Sequence, residues 1–229
     1  SRDQLNVPLA DNNSSFNSIA RELLRQLPTR EPPVDPALRH DWLETERGAL
    51  GKQIRYRPMD ASASLLREVS GHGWSGRAWR LQLDSDWQLP VVELTPDGAR
   101  DTRIVFADDG RKSTLPVIQS LLQHKSRVIA VDPLLFGECF STHYSYRFSL
   151  IINCVGERTI GIQAGQVAAL GNWARDEFHQ SAGLMTFGPR SSFVGLVAAA
   201  MEPESIGSLR MHDAYPSLST LITHNIPYE

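Results

Sequence analysis

Gly183-Leu184-Met185-Thr186-Phe187-Gly188-Pro189-Arg190-Ser191-Ser192-Phe193-Val194-Gly195-Leu196-Val197-Ala198-Ala199-Ala200-Met201 is the stretch from which the fold can be read. Its first five residues form a short apolar run, the pattern of a strand buried on both faces. Gly188-Pro189 then interrupts it. Glycine turns the backbone at little steric cost, and proline cannot continue a central strand. Ser192 to Met201, rich in Ala, reads as a helix of small residues. Small side chains suit a tight strand-to-helix turn, where the two backbones must approach closely.

The same grammar extends outward. Arg103–Ala107 is a buried strand and Leu115–Lys125 a helix; Arg127–Asp132 is a strand and Glu157–Phe178 a long helix; Ser208–His212 is a fourth strand. Strands separated by helices of ten or more residues imply an α/β fold, a mostly parallel sheet covered by helices on both faces. Upstream, Ala78–Leu83 and Gln88–Leu94 alternate around Asp84-Ser85-Asp86, which predicts an antiparallel hairpin at a sheet edge. The first sixty residues differ. Asn13-Ser14-Ser15 can cap an amphipathic helix carrying Ile19, Leu23, Leu24 and Leu27 and ending at Pro28. A Pro-rich connector leads to a second helix from Pro36, with Leu38, Trp42, Leu43 and Leu50 at helical spacing and Gly51 near its end. The expected organisation is a helical N-terminal leader over 1–60 and an α/β domain over 61–229, with a partner-binding arm as the functional alternative for the leader.

With 41% hydrophobic and 21% charged residues the chain can build a packed core. A net charge of -3 without a basic stripe argues against nucleic acid as a partner. Cys139 and Cys154 are too few for a disulfide framework and are expected to be buried thiols. No apolar run reaches the roughly 18 residues of a membrane span, and Ser1-Arg2-Asp3-Gln4 is not a signal peptide. No membrane partner is expected, and the compartment stays open, export included.

Ligands of open parallel sheets gather at the carboxyl ends of the strands, which selects four places. Asp108-Asp109-Gly110-Arg111 follows a strand and precedes a helix; its backbone N–H groups could face a developing oxyanion, or it is simply a turn. Asp132, which leads through Pro133-Leu134-Leu135-Phe136 to Gly137-Glu138, ends the next strand, but no GxGxxG accompanies it and no nucleotide cofactor is expected. Phe187 to Ser192 has the shape of a nucleophile elbow, in which G-x-S-x-G sets a strained Ser above the sheet. Aligned on Gly188, the nucleophile position holds Arg190, a permanent cation, and the second glycine is Ser192. Ser191 is one residue out of frame; it is the candidate catalytic serine, or it caps the following helix. His212-Asp213 ends the last strand, and neighbours in a strand point to opposite faces. The remaining histidines (His40, His72, His124, His143, His179, His224) form no HExxH or similar cluster, so no metal is expected.

Val91-Val92-Glu93-Leu94-Thr95-Pro96, Ile104 to Arg111, and Val131-Asp132 through Gly137-Glu138 together resemble bacterial α/β-hydrolases of the acetyl xylan esterase and dienelactone hydrolase kind. Gly156-Glu157-Arg158, Gly161 to Gln166 and Gly188 to Ser192 look like a less characterised branch of that group. The resemblance covers about residues 75 to 225. It implies ester hydrolysis by a Ser nucleophile, an oxyanion hole, a late Asp and His, and a small ester or saccharide as ligand. Carried over, the oxyanion loop falls on Asp108 to Arg111, the pocket takes in Asp132, and the elbow on Gly188 to Ser192 holds Arg190 where Ser is expected. The late acid and His have no counterpart. They would follow further strands, needing roughly 60 to 100 more residues, so a further chain segment completing the fold is the partner this resemblance implies. A non-catalytic hydrolase-like module for binding or structure is the alternative, with Arg190 as a fixed cation for a carboxylate or phosphate.

Overall fold

The computed structural model describes residues 13–28, 30–140 and 145–224, the side chains of 145 and 146 apart. His143 and the Ser1–Gln4 start lie outside the described residues. Two compact units result, one of residues 35–214 and one of the segments before 35 and after 214. The smaller unit holds α1 (Phe16–Gln26) and α7 (Ser219–Thr223). Ser15 caps α1 by accepting the Ser18 N–H at 3.1 Å, as the Asn-Ser-Ser run predicts. Asn17 Nδ2 donates to the Ile222 carbonyl at 2.8 Å and Arg21 Nη2 to the Thr223 carbonyl at 2.7 Å, tying the two helices.

The larger unit opens with α2 (Pro36–Ile54), where Asp35 caps the Ala37 N–H and Pro36 takes the first turn. Gly51 lies near its end, as expected, and the helix closes at Arg55 in the left-handed conformation, φ 57°. Seven strands follow: β1 (Ala61–Gly71), β2 (Trp74–Leu83), β3 (Trp87–Pro96), β4 (Asp101–Ala107), β5 (Ser126–Val131), β6 (Ala182–Phe187) and β7 (Ile206–His212). Their order is β1-β2-β3-β5-β4-β6-β7. The β3–β5 pair and the two pairs before it are antiparallel, while β5, β4, β6 and β7 run parallel. The intervening helices are α3 (Leu115–Gln123), α4 (Ser145–Cys154), α5 (Thr159–Phe178) and α6 (Pro189–Met201).

Strand alternation sorts the core into two layers. Ile104 and Phe106, Ile129 and Val131, and Leu184 face α5 and α6 with Val167, Leu170, Val194 and Val197. Their neighbours Val105, Val128, Ala130 and Met185 face α3 through Ile118. The sheet is thus covered by helices on both faces, and its strands read as continuous apolar runs for that reason. Among the described residues no helix is long and apolar enough to cross a membrane.

Several expectations are corrected. The β2–β3 hairpin, with Asp84 at φ 47° in its turn, is not at the sheet edge, because β1 pairs outside it. β1 escapes sequence reading because almost all its residues are exposed, so burial imposes no alternation on it. The small-residue helix begins at Pro189, three residues earlier than expected; proline is pre-set for the first helical turn. The sequence pattern predicts no helix where α4 stands, and Cys154 at its end is exposed rather than buried, with Cys139 half-buried.

Candidate functional site at the Gly188 turn

The chain leaves β4 to build β5 on one side and returns to build β6 on the other, so the direction of winding reverses at β4. The crevice at the carboxyl ends of β4 and β6 is the switch point where such sheets bind ligands. Asp108 and Gly188, the residues immediately after these two strands, meet there.

Gly188 makes the turn from β6 into α6 with φ 108° and ψ 161°, a conformation that L side chains rarely adopt. A Cβ at this position would overlap Asp108 Cγ and lie 2.7 Å from its Oδ2. The Asp108 carboxylate therefore fills the space above the turn. Its Oδ2 accepts the Arg190 N–H at 3.1 Å and its Oδ1 the Ser191 N–H at 2.6 Å. Pro189 has no N–H, and the Ser192 N–H bonds the Gly188 carbonyl at 3.0 Å. Every N–H of the first turn of α6 is absent or engaged, and the helix dipole is met by the protein's own carboxylate.

The sequence-predicted residues fall around this point with distinct roles. Ser191 is fully buried, and its hydroxyl lies 2.8 Å from the Phe187 carbonyl and 3.1 Å from the Gly188 carbonyl. A hydroxyl has one proton, so it donates backward into the strand end and does not cap the helix, correcting that expectation. Ser192 is buried too, its Oγ 3.0 Å from Thr186 Oγ1 and 3.3 Å from the His212 carbonyl. Arg190 is exposed, yet Nη2 donates to the Leu135 carbonyl at 3.1 Å and the guanidinium sits 4.9 Å from the Phe136 ring centroid. His212 stacks on Phe187 with centroids 4.5 Å apart and planes 7° from parallel; its Nε2 is buried and bonds nothing among the described residues.

Asp132 holds the neighbouring loops together. Only 2% exposed, it accepts the Arg111 N–H at 2.7 Å on Oδ1 and the Glu138 N–H at 3.2 Å on Oδ2. Arg111 Nη1 stands 3.6 Å from the same carboxylate, and its Nη2 pairs with Glu138 at 2.5 Å. Gly137, at φ 44°, allows this approach, since a Cβ there would run into the Asp132 carboxylate. Gly110, at φ 80°, packs against the Gly137 backbone, while Asp109 beside it is exposed. Burial together with Asp132 and Glu138 pushes the nearby Cys139 thiol above its usual range, which disfavours the thiolate. Sequence reading named Asp108 and Gly188 as members of two separate loops. The signal for the turn geometry was Pro189, which marks where the helix starts.

No family model matches this chain, and no curated protein matches it in sequence. Solved structures do match. A Bacteroides fragilis protein carrying the provisional name acetyl xylan esterase superposes with a TM-score of 0.70 at 12% identity, over 88% of this chain and 62% of its own. Acetyl xylan esterase 1 from a Thermoanaerobacterium species gives 0.50 at 14% identity, over 81% of this chain and 60% of its own. A methylesterase gives 0.55 at 14% identity, over 84% of this chain and 44% of its own. The chain thus spans less than two thirds of the length of each. Its fold is that of the α/β-hydrolases, in the form seen in acetyl xylan esterases.

Proposed function

We propose that this chain is an α/β-hydrolase-type scaffold whose Gly188 turn does not perform nucleophilic ester hydrolysis and whose surrounding residues serve to hold the loops. The observation that carries this reading is the Asp108 carboxylate standing where the Cβ of residue 188 would be. In a working elbow the nucleophile occupies the strained strand-to-helix turn, and the N–H of the next residue helps bind the oxyanion. The residue with positive φ here is Gly188, and the next is Pro189. Read from this geometry, one position lacks a side chain and the other lacks a donor. Read instead from the first glycine of the motif, the nucleophile position holds Arg190. Neither register supplies a nucleophile.

The competing reading is a hydrolase that uses Ser191. Against it stand the full burial of Ser191 and the direction of its hydroxyl, with no base bonded to it among the described residues. A small ester or saccharide remains the ligand class that this lineage suggests. The outer edge of β7 has no partner strand among the described residues, and we propose that a further chain segment pairs there. The test of the catalytic reading is hydrolysis of p-nitrophenyl acetate by purified protein. We expect the buffer rate, unchanged by Ser191→Ala. Turnover above buffer that disappears in Ser191→Ala would instate the esterase reading instead.

A further inference from the structure

The larger unit carries a second concavity that shares no residue with the Gly188 turn. It is a cavity of about 680 Å³, walled by the C-terminal half of α2, Arg55–Arg57, residues 155–157 before α5, and Met201 of α6. That volume is in the range of small-molecule sites, about 300–1,000 Å³. Its floor is bare helix. Gly48 and Gly51 lie three residues apart on one face of α2; a Cβ at Gly48 would meet nothing within 4 Å, and one at Gly51 would come near only Met201 and Tyr56.

Charge in the cavity is lopsided. Arg47, Lys52, Arg55 and Arg57 face it, against Glu44 and Glu157. Arg47 pairs with Glu44 at 2.5 Å and also donates to the Ala200 carbonyl at 2.7 Å, while Arg57 pairs with Glu157. Lys52 and Arg55 remain, with no side-chain partner among the described residues. Two exposed cations without side-chain partners thus line one recess of a chain whose net charge is -3. The carbonyls at the end of α2 are met by backbone rather than by these two side chains. The Tyr56 N–H bonds the Gly51 carbonyl at 2.9 Å, and Gly161 of α5 abuts the carbonyls of Ile54 and Arg55.

We infer that this cavity binds a small polar molecule through a phosphate or carboxylate group, held by the Arg55 guanidinium and the Lys52 ammonium. The guanidinium fork supplies paired donors to an oxyanion and the ammonium adds a point charge. Isothermal titration calorimetry at about 0.15 M NaCl, with inorganic phosphate and citrate as separate probes, tests the site and tells the two oxyanion classes apart. The proteins are the full chain, Lys52→Gln, Arg55→Asn and the control Lys112→Gln. Asn tolerates the left-handed conformation, so Arg55→Asn keeps the fold, as an unchanged Tm will show. The expected result is saturable one-site binding of at least one probe, weakened tenfold or more by Lys52→Gln or Arg55→Asn and unaltered by Lys112→Gln. Absence of saturable binding, or binding that neither cavity substitution weakens tenfold, overturns the inference. Because the readout is binding, a failure here leaves the reading of the Gly188 turn untouched.

Discussion

At the scale of single residues, Asp108 and Gly188 define one another. The carboxylate caps the Arg190 and Ser191 N–H groups only because residue 188 has no Cβ. Gly188→Ala should therefore destabilise the fold by about 2 kcal/mol or more, combining strain at positive φ with a clash. Asp108→Gly alone removes the carboxylate that accepts both N–H groups, at about 1–2 kcal/mol. The double substitution should cost less than the sum of the two, because removing the carboxylate relieves the clash, and urea midpoints of the four proteins measure that coupling. Much of this turn is legible in the sequence. Gly188-Pro189 and the small residues after it announce a strand-to-helix turn. Motif spacing alone does not say which residue takes the positive φ, since any glycine is free to. The contact between Asp108 and Gly188 joins residues 80 positions apart, and no local pattern encodes it.

At the scale of elements, buried polar groups fix how strands and loops meet. Glu93 of β3 is 2% exposed, yet Trp79 Nε1 and Thr95 Oγ1 each donate to it at 2.8 Å, and Arg127 of β5 lies 3.4 Å away. Arg127 also stacks over Phe178 at the end of α5, 3.8 Å from its centroid. One side chain therefore links β3, β5 and α5. Arg127→Met should leave a buried carboxylate short of its nearest charge partner and cost about 3 kcal/mol, read from thermal or urea unfolding. The strands flanking this network were readable, because β4, β5 and β6 are buried on both faces. The edge was not. Leu65, Leu66 and Val69 of β1 are exposed, so no inside–outside alternation marks that strand.

At the scale of the molecule, the course of the backbone carries the likeness to acetyl xylan esterases while the sequence hardly does, with a TM-score of 0.70 at 12% identity to the Bacteroides structure. Such a fold keeps its layers through apolar alternation, which many sequences satisfy. Catalysis depends on a few placed atoms, and at the switch point of this sheet the Asp108 carboxylate fills the space above the Gly188 turn. A serine-directed fluorophosphonate, followed by intact mass under native conditions, tests the proposed non-catalytic reading of the turn most directly. We expect no adduct on the folded protein. A stoichiometric adduct that maps to Ser191 and vanishes in Ser191→Ala would contradict the proposed non-catalytic turn.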